Sequence, residues 1–300
     1  MKNSLIFSLS NNKNLAMKIS EISGIPMGQC EINKFSDGEI LVRNLSDVVG
    51  KTAYIVQSTC APSSASVFEI IVFIDALRNS QVKEVVVVTP YYGFSRQDRV
   101  AKKGEPITAK VVANMLQSAG ADRVIAVDLH TGQIQGFFSC PVENLETAVL
   151  FADYFKNRFD ELMVSSDKLT VVSPDHGSSF RARDLASSFN GASIAFIDKR
   201  RPAPNQSEVI KVVGDVRGKT CLLIDDIIDT CGTVNNAVEA LLEKGAKDIY
   251  VCATHAIFSA GAIDPRVKEV VVTDTIESRI LGVKIISVAN LIAKAIVRED

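Results

Sequence analysis

The sequence predicts an α/β protein of two similar domains, each built on a parallel sheet. Alternation is the first observation. Short apolar, β-branched runs fall at Ala53–Gln57, Glu84–Val88, Arg123–Val127, Leu169–Ser173, Ser193–Ile197, Thr220–Ile224, Ile249–Ala253 and Glu269–Val272. Between many of them lie segments of helical spacing, such as Phe68, Ile71, Val72, Asp75, Ala76 and Leu77. Strands alternating with helices imply βαβ units and sheets covered on both faces. Length is the second: 300 residues exceed a usual single core, so two domains of roughly 150 residues are expected. Internal similarity is the third. IDALRNSQVKEVVVVTPY, ANMLQSAGADRVIAVDLH and VEALLEKGAKDIYVCATH each read as helix end, turn, charged residue, strand and polar end. Duplication explains this, and so do the shared demands of a helix-to-strand turn. The boundary is placed between residues 1–145 and 146–300.

Composition narrows the class. Hydrophobic residues make up 47% and charged residues 23%, as in ordinary core-forming proteins. A net charge of −2 gives no bulk attraction for nucleic acid or anionic membranes. Apolar runs such as Val85–Val88 are too short to span a bilayer. The opening MKNSLIFSLSNNKN is broken by Asn and Ser and lacks a small-residue cleavage site, so it reads as a first strand and not a signal peptide. Six scattered cysteines without a CxxC pair argue against zinc or a redox motif, and Cys221 and Cys252, inside apolar runs, read as reduced core thiols. The expected compartment is the cytoplasm.

In open parallel sheets, ligands bind beyond the carboxyl ends of the strands. TPYYGFSRQDR follows the second run. Its aromatics beside Arg96, Gln97, Asp98 and Arg99 suit a nucleotide, with rings for a base and guanidinium for phosphate; a solvated loop with a few core aromatics is the other reading. DLHTGQIQGFF follows the third run. Asp128 and His130, two apart, share one side of an extended chain and fit either joint ligation of a divalent ion or a hydrogen-bonded structural histidine. SPDHGSSFRARDLA carries Asp175 at a strand end, placed for a metal or a hydroxyl. DKRRPAPNQSE sets three successive cations before a Pro-rich stretch, which reads as solvated surface or as a mobile source of transition-state charge.

CLLIDDIIDTCGT, residues 221–233, is the most specific passage. A strand over Leu222–Ile224 and a helix from Val234 leave Asp229–Thr233 to cross from strand to helix amino terminus. Exposed N–H groups there, with the Thr230 and Thr233 hydroxyls, suit a phosphate monoester. Gly232 permits close backbone approach. There is no GK[ST], so this is not a Walker A loop. Asp225 and Asp226 suit vicinal sugar hydroxyls or a bridging Mg²⁺. Sugar hydroxyls plus a terminal phosphate describe a ribose 5-phosphate unit.

LIDDIIDTCGT resembles the phosphoribosyl-pyrophosphate binding signature of type I phosphoribosyltransferases and ribose-phosphate pyrophosphokinases. KFSDGEI (34–40), PYYGFSRQDR (90–99), EPITAK (105–110), DLHTGQIQGFF (128–138), SPDHG with RAR (173–183) and DKRRPAPN (198–205) match the pyrophosphokinase pattern in order, over nearly the whole chain. The resemblance implies two Rossmann-like, type I phosphoribosyltransferase-like domains, the first binding ATP and the second ribose 5-phosphate. It implies transfer of the diphosphoryl group of ATP to the sugar's 1-hydroxyl, giving PRPP and AMP for nucleotide biosynthesis. By residue, it implies an ATP site of Phe35, Asp37, Gly38 and Glu39 from a neighbouring subunit with Arg96 and Gln97. Mg²⁺ is implied near His130 and Asp175, with Asp128 a helper. Asp225 and Asp226 are implied at the ribose hydroxyls, and Asp229, Thr230, Cys231, Gly232 and Thr233 around the 5-phosphate. Lys199 and Arg201 are implied as catalytic cations, Arg201 also touching ribose 5-phosphate. The assembly implied is a homo-oligomer, a hexamer built from dimers.

A non-catalytic regulatory homologue would carry an altered basic loop, whereas DKRRPAPN is uninterrupted. A phosphoribosyltransferase would leave residues 34–40 and 90–99 without a use. Against the family pattern, Ser178 stands where a second Gly is usual and Val49 where Arg is common. AKKGEPI is a variant loop, and AIVRED lacks a short Ser- and Phe-containing tail. The last three bear on the regulatory ADP and phosphate pocket of the family, so weakened or absent allosteric ADP inhibition is expected.

Overall fold

The computed structural model describes residues 3–175, 177–200, 209–277 and 280–298, the side chains of 199, 200, 209 and 210 excepted. The chain divides into two units. The first is Met1–Glu146 with Thr275–Glu277 and Ser287–Asp300; the second is Thr147–Asp274 with Ser278–Ile286.

In the first unit the chain runs through β1 (Ser4–Ser8), α1 (Lys13–Ser23), β2 (Cys30–Lys34), β3 (Ile40–Asn44), β4 (Thr52–Val56), α2 (Ser63–Asn79), β5 (Glu84–Thr89), α3 (Thr108–Ala119), β6 (Arg123–Val127) and β7 (Val142–Leu145). Five strands form an all-parallel sheet in the order β1-β4-β5-β6-β7, and β2 and β3 make a separate antiparallel hairpin. The central strands read as unbroken Val and Ile runs because both faces of such a sheet are covered. Phe7 of β1 meets Phe73 of α2 edge to face at 5.2 Å, and both rings are fully buried.

The segment of helical spacing is α2, and its buried face is fixed only by the fold. Its buried stripe is Ser66, Val67, Glu69, Ile70, Phe73, Ile74 and Leu77, and Phe68 is 46% exposed. The helix is apolar over most of its circumference, so spacing alone selects no side. Glu69 lies on the buried stripe because its carboxylate accepts from the Ser10 hydroxyl at 2.5 Å and Gln57 Nε2 at 2.9 Å. A buried carboxylate is tolerable only with such donors.

The second unit runs through α4 (Ala148–Glu161), β8 (Leu169–Ser173), α5 (Ser179–Ser187), β9 (Ser193–Arg200), β10 (Val209–Val213), β11 (Thr220–Ile228), α6 (Gly232–Glu243), β12 (Asp248–Ala256), β13 (Glu269–Thr273) and β14 (Lys284–Ile286). Its sheet has the order β10-β9-β8-β11-β12-β13-β14, and only the β9–β10 pairing is antiparallel. Phe155, Phe159 and Tyr250 pack edge to face or tilted on one side of it, with ring centroids 5.2–6.2 Å apart. Cys221 and Cys252 are core thiols as expected, and burial pushes Cys221 up to about 12.

Three strands overrun their expected ends by three or more residues. β9 continues through Asp198, Lys199 and Arg200, because Val209–Val213 pairs with it antiparallel. The basic stretch therefore begins inside a strand and not in a loop. β11 continues to Ile228 and β12 to Ala256, each holding the other in register.

After β14 comes α7 (Ala289–Val297), which packs on α1 in the first unit. The same unit takes in Thr275, whose carbonyl accepts from Asn12 Nδ2 at 2.9 Å and Ser58 Oγ at 2.5 Å.

Phe73→Ala removes a ring from the closed side of α2 and is expected to cost about 3–5 kcal/mol. Phe68→Ala, on the open side, should stay within about 0.5 kcal/mol. Urea unfolding of both variants measures the difference, and equal losses would reverse the assignment of the buried face.

Candidate active site

The parallel sheets place functional side chains at their carboxyl edges. In the first unit the loop after β5 carries the expected nucleotide residues. Its tyrosines are not a stacking surface: Tyr91 is buried, and Tyr92, 2% exposed, donates its hydroxyl to the Ala109 carbonyl at 2.8 Å and packs on Phe138. Burial raises the Tyr92 phenol above its ordinary range. The rings are core, and they anchor a loop whose tip exposes Arg96 and Gln97.

Gln97 is fixed to the start of α3: its Oε1 accepts from Thr108 Oγ1 at 2.6 Å and its carbonyl from Ala109 N at 3.2 Å. Asp98, nearly buried, accepts from Thr131 Oγ1 at 2.7 Å and Gln133 Nε2 at 3.2 Å. It thereby ties the loop after β5 to the loop after β6. Asp128 and His130 lie in that second loop, but the chain there is not extended. β6 ends at Val127 and Asp128 takes a left-handed φ of 42°, so the alternation that would put both side chains on one side is lost.

Phe35, Asp37, Gly38 and Glu39 form the tip between β2 and β3. Asp37 Oδ1 accepts from Glu39 N at 3.0 Å, Phe35 N donates to the Glu39 carbonyl at 2.9 Å, and Gly38 has φ 96°. Phe35 is 55% exposed at this tip, where a loose end would normally be polar.

In the second unit β8 and β11 lie side by side, Leu223 opposite Val172. Asp175, exposed beyond β8, accepts from Ser178 N through Oδ1 at 2.8 Å, and its carbonyl accepts from Ser173 Oγ at 2.6 Å. Asp225 and Asp226 do not follow β11 but belong to it, and both are buried. Burial raises the Asp225 carboxyl well above its ordinary range; the charge and hydrogen bond of Asp226 and the charge of Asp175 add to this. The Asp226 N–H, 2.9 Å from Oδ1, opposes the shift. Asp175, Asp225 and Asp226 are thus brought together. His130 belongs to the first unit and Asp175 to the second. Among the described residues no three His, Cys, Asp or Glu side chains converge as metal ligands.

Asp229–Thr233 connects β11 to α6, which begins at Gly232, two residues before the expected start at Val234. Cys231 precedes the helix in a left-handed conformation (φ 63°), buried, while Thr230, Gly232 and Thr233 are exposed. The first-turn amides of such a helix face outward and favour anions. Burial, and then the Asp229 charge, raise the Cys231 thiol, so it is no thiolate nucleophile at neutral pH. Of the remaining expected residues, Lys199 lies in β9 opposite Ile210. Its side chain, and Arg201 entirely, lie outside the described residues.

Sequence reasoning missed the segment that braces this loop. Ser259 donates its hydroxyl to Asp229 Oδ1. Ile257 N and Phe258 N donate to the Ile228 carbonyl at 2.9 and 3.1 Å, and Asn235 is held between the Ala262 carbonyl and Asp264 N. Gly261, at φ 80°, passes so close that a Cβ would sit 2.5 Å from the Thr230 carbonyl oxygen. The strand-end rule applied to β12, which leads into THAIFSAG, was the available signal.

Family models match at both ends of the chain: one for the N-terminal domain of ribose phosphate pyrophosphokinase at residues 4–120, and one for the phosphoribosyl synthetase-associated domain at 184–299. Ribose-phosphate pyrophosphokinase of Bacillus subtilis is 45% identical over 305 residues, covering 99% of this chain and 94% of that protein. The chain belongs to the ribose-phosphate pyrophosphokinase family. Ribose-phosphate pyrophosphokinase 2 of Enterococcus faecalis is 48% identical over 301 residues, covering 98% of this chain and 92% of that one. Phosphoribosylpyrophosphate synthetase from Mycobacterium smegmatis matches the fold with a TM-score of 0.89 at 37% identity, over 98% of this chain and 97% of that one.

Gly261→Ala should push the 229–233 loop out of place at a cost of about 1–3 kcal/mol. Amide exchange at Thr230, Cys231 and Gly232 should speed up while exchange in β8 stays unchanged. Unchanged exchange in the loop would show that Gly261 does not brace it.

Proposed function

We propose that this chain transfers the diphosphoryl group of ATP to the 1-hydroxyl of ribose 5-phosphate, yielding PRPP and AMP for nucleotide biosynthesis. One observation carries the reading beyond family membership. The buried Asp225–Asp226 pair and the anion-favouring start of α6 stand on one continuous piece of backbone, β11 and the loop after it. Carboxylates for sugar hydroxyls and amides for a phosphate are what ribose 5-phosphate requires.

In this reading residues 1–145 carry the ATP functions and residues 146–300 the ribose 5-phosphate functions. Asp225 and Asp226 accept the ribose hydroxyls. Asp229, Thr230, Cys231, Gly232 and Thr233 surround the 5-phosphate, Cys231 through its backbone. Arg96 and Gln97 hold the nucleotide with Phe35, Asp37, Gly38 and Glu39 of a neighbouring copy, a role that would explain an exposed ring at a hairpin tip. The enzyme is then a homo-oligomer, a hexamer built from dimers. No helix among the described residues is long and apolar enough to cross a membrane. The six free cysteines are in keeping with a cytoplasmic setting.

The reaction is an in-line displacement. The sugar's 1-hydroxyl oxygen forms a bond to the β-phosphorus of ATP as the bond from that phosphorus to the AMP oxygen breaks. No covalent bond to the protein is needed, which suits a protonated, buried Cys231. Catalysis then rests on alignment and on charge at the phosphoryl oxygens. Lys199 and Arg201 supply part of that charge, Arg201 also touching the sugar phosphate. Mg²⁺, assigned to His130 and Asp175 with Asp128 as helper, supplies further positive charge to the phosphate oxygens when bound. Carboxylate oxygens are the donors a hard cation takes, and Asp175, exposed beyond β8, offers one.

Assaying AMP release from ATP and Mg²⁺, with and without ribose 5-phosphate, tests the reading. AMP should appear only with the sugar and in step with PRPP. Val49, exposed where a family member often has Arg, argues that the rate will be indifferent to inorganic phosphate. No AMP under any condition would mark a non-catalytic homologue. Lys199→Ala should lower kcat by roughly 10²–10³-fold and leave KM for ribose 5-phosphate within about threefold. An unchanged kcat removes Lys199 from the transition state.

A further inference from the structure

Ser178 holds the amino-terminal cap position of α5, where a serine hydroxyl ordinarily accepts from a helix amide. Here it makes no capping bond. The hydroxyl, on a residue 5% exposed, is turned the other way and donates to Asp225 Oδ1 at 3.3 Å. The Asp226 N–H reaches the same oxygen at 2.9 Å, so a side-chain donor from the loop after β8 and a backbone donor of β11 converge on one atom. Ser178 is itself held in place, since its N–H donates to Asp175 Oδ1 at 2.8 Å and its carbonyl accepts from Ala182 N at 3.3 Å.

We propose that Ser178 is a positioning residue for the sugar: its hydroxyl fixes the Asp225 carboxylate in the orientation that receives the ribose hydroxyls. The proposal rests on the assignment of Asp225 to ribose 5-phosphate. Its physical ground is geometry: the Ser178 hydroxyl and the Asp226 N–H converge on Oδ1 of Asp225 and fix that side of the carboxyl group. A serine that forgoes its helix cap to reach a buried carboxylate is placed for that task. The sugar should feel the loss mainly in binding, because Ser178 touches neither the attacking oxygen nor the phosphorus in this scheme.

Steady-state AMP formation at saturating ATP tests this with Ser178→Ala, Ser178→Thr and Asp225→Asn. Ser178→Ala should raise KM for ribose 5-phosphate roughly tenfold, with kcat and KM for ATP within about twofold. Ser178→Thr, which keeps the hydroxyl, should restore KM to within about threefold of the native value. Ser178→Gly removes the same hydroxyl without adding a methyl and provides a second variant if alanine disturbs folding. An unchanged KM in both hydroxyl-less variants, beside a raised KM in Asp225→Asn, overturns the positioning role alone. An unchanged KM in Asp225→Asn overturns the sugar-site assignment and the proposal with it. Equal losses in the alanine and threonine variants, with a lowered thermal midpoint, show a structural role and also overturn it.

Discussion

Two carboxylates inside a parallel strand are the constraint on which the second unit turns. A buried charge is costly unless donors meet it, and a strand in the middle of a sheet cannot bend its side chains toward water. Asp225 is therefore answered locally, by the Asp226 N–H and by Ser178 from the neighbouring loop. The same strand then delivers the chain to the start of α6, whose dipole is positive at that end. Negative and positive ends are set on one rigid piece of backbone, separated by a short turn. The braces from Ser259 and Gly261 belong to the same economy, since a loop that binds by its amides must not drift.

The first unit works with less charge and more packing. Its loop after β5 is anchored by buried aromatic rings, and its exposed Arg96 and Gln97 ride on that anchor. Asp98 spends its carboxylate inside the protein, joining two strand-end loops into one surface. The two units share a sheet architecture and a site location, and the first adds buried rings to the hydrogen bonds that hold its loop.

Runs of Val and Ile covered on both faces were readable from sequence because burial leaves no room for polar residues, as at Val85–Val88 and Leu222–Ile224. The half-exposed strands β2 and β3 carry only short apolar stretches, Lys211 interrupts the run of β10, and β7 and β14 are too short to show one. Asp225 reads as a strand end because carboxylates seldom lie within central strands, and only the register with β12 shows that it does. The helix α2 was legible from its spacing, but its buried face was not, because apolar residues surround it. Ser259 lies 30 residues from the aspartate it grips, so nothing local announces it. The 221–233 passage was legible because strand, carboxylates, turn and helix start follow one another without interruption.

The return of α7 to α1 bears on how the protein is made. Ribosomes release a chain from its amino end, and domains generally fold in that order. Here the first unit lacks one of its helices, and the Thr275 carbonyl that binds Asn12 and Ser58, until the second unit has been synthesised. The face of α1 that α7 covers stays open until residues 289–297 have emerged.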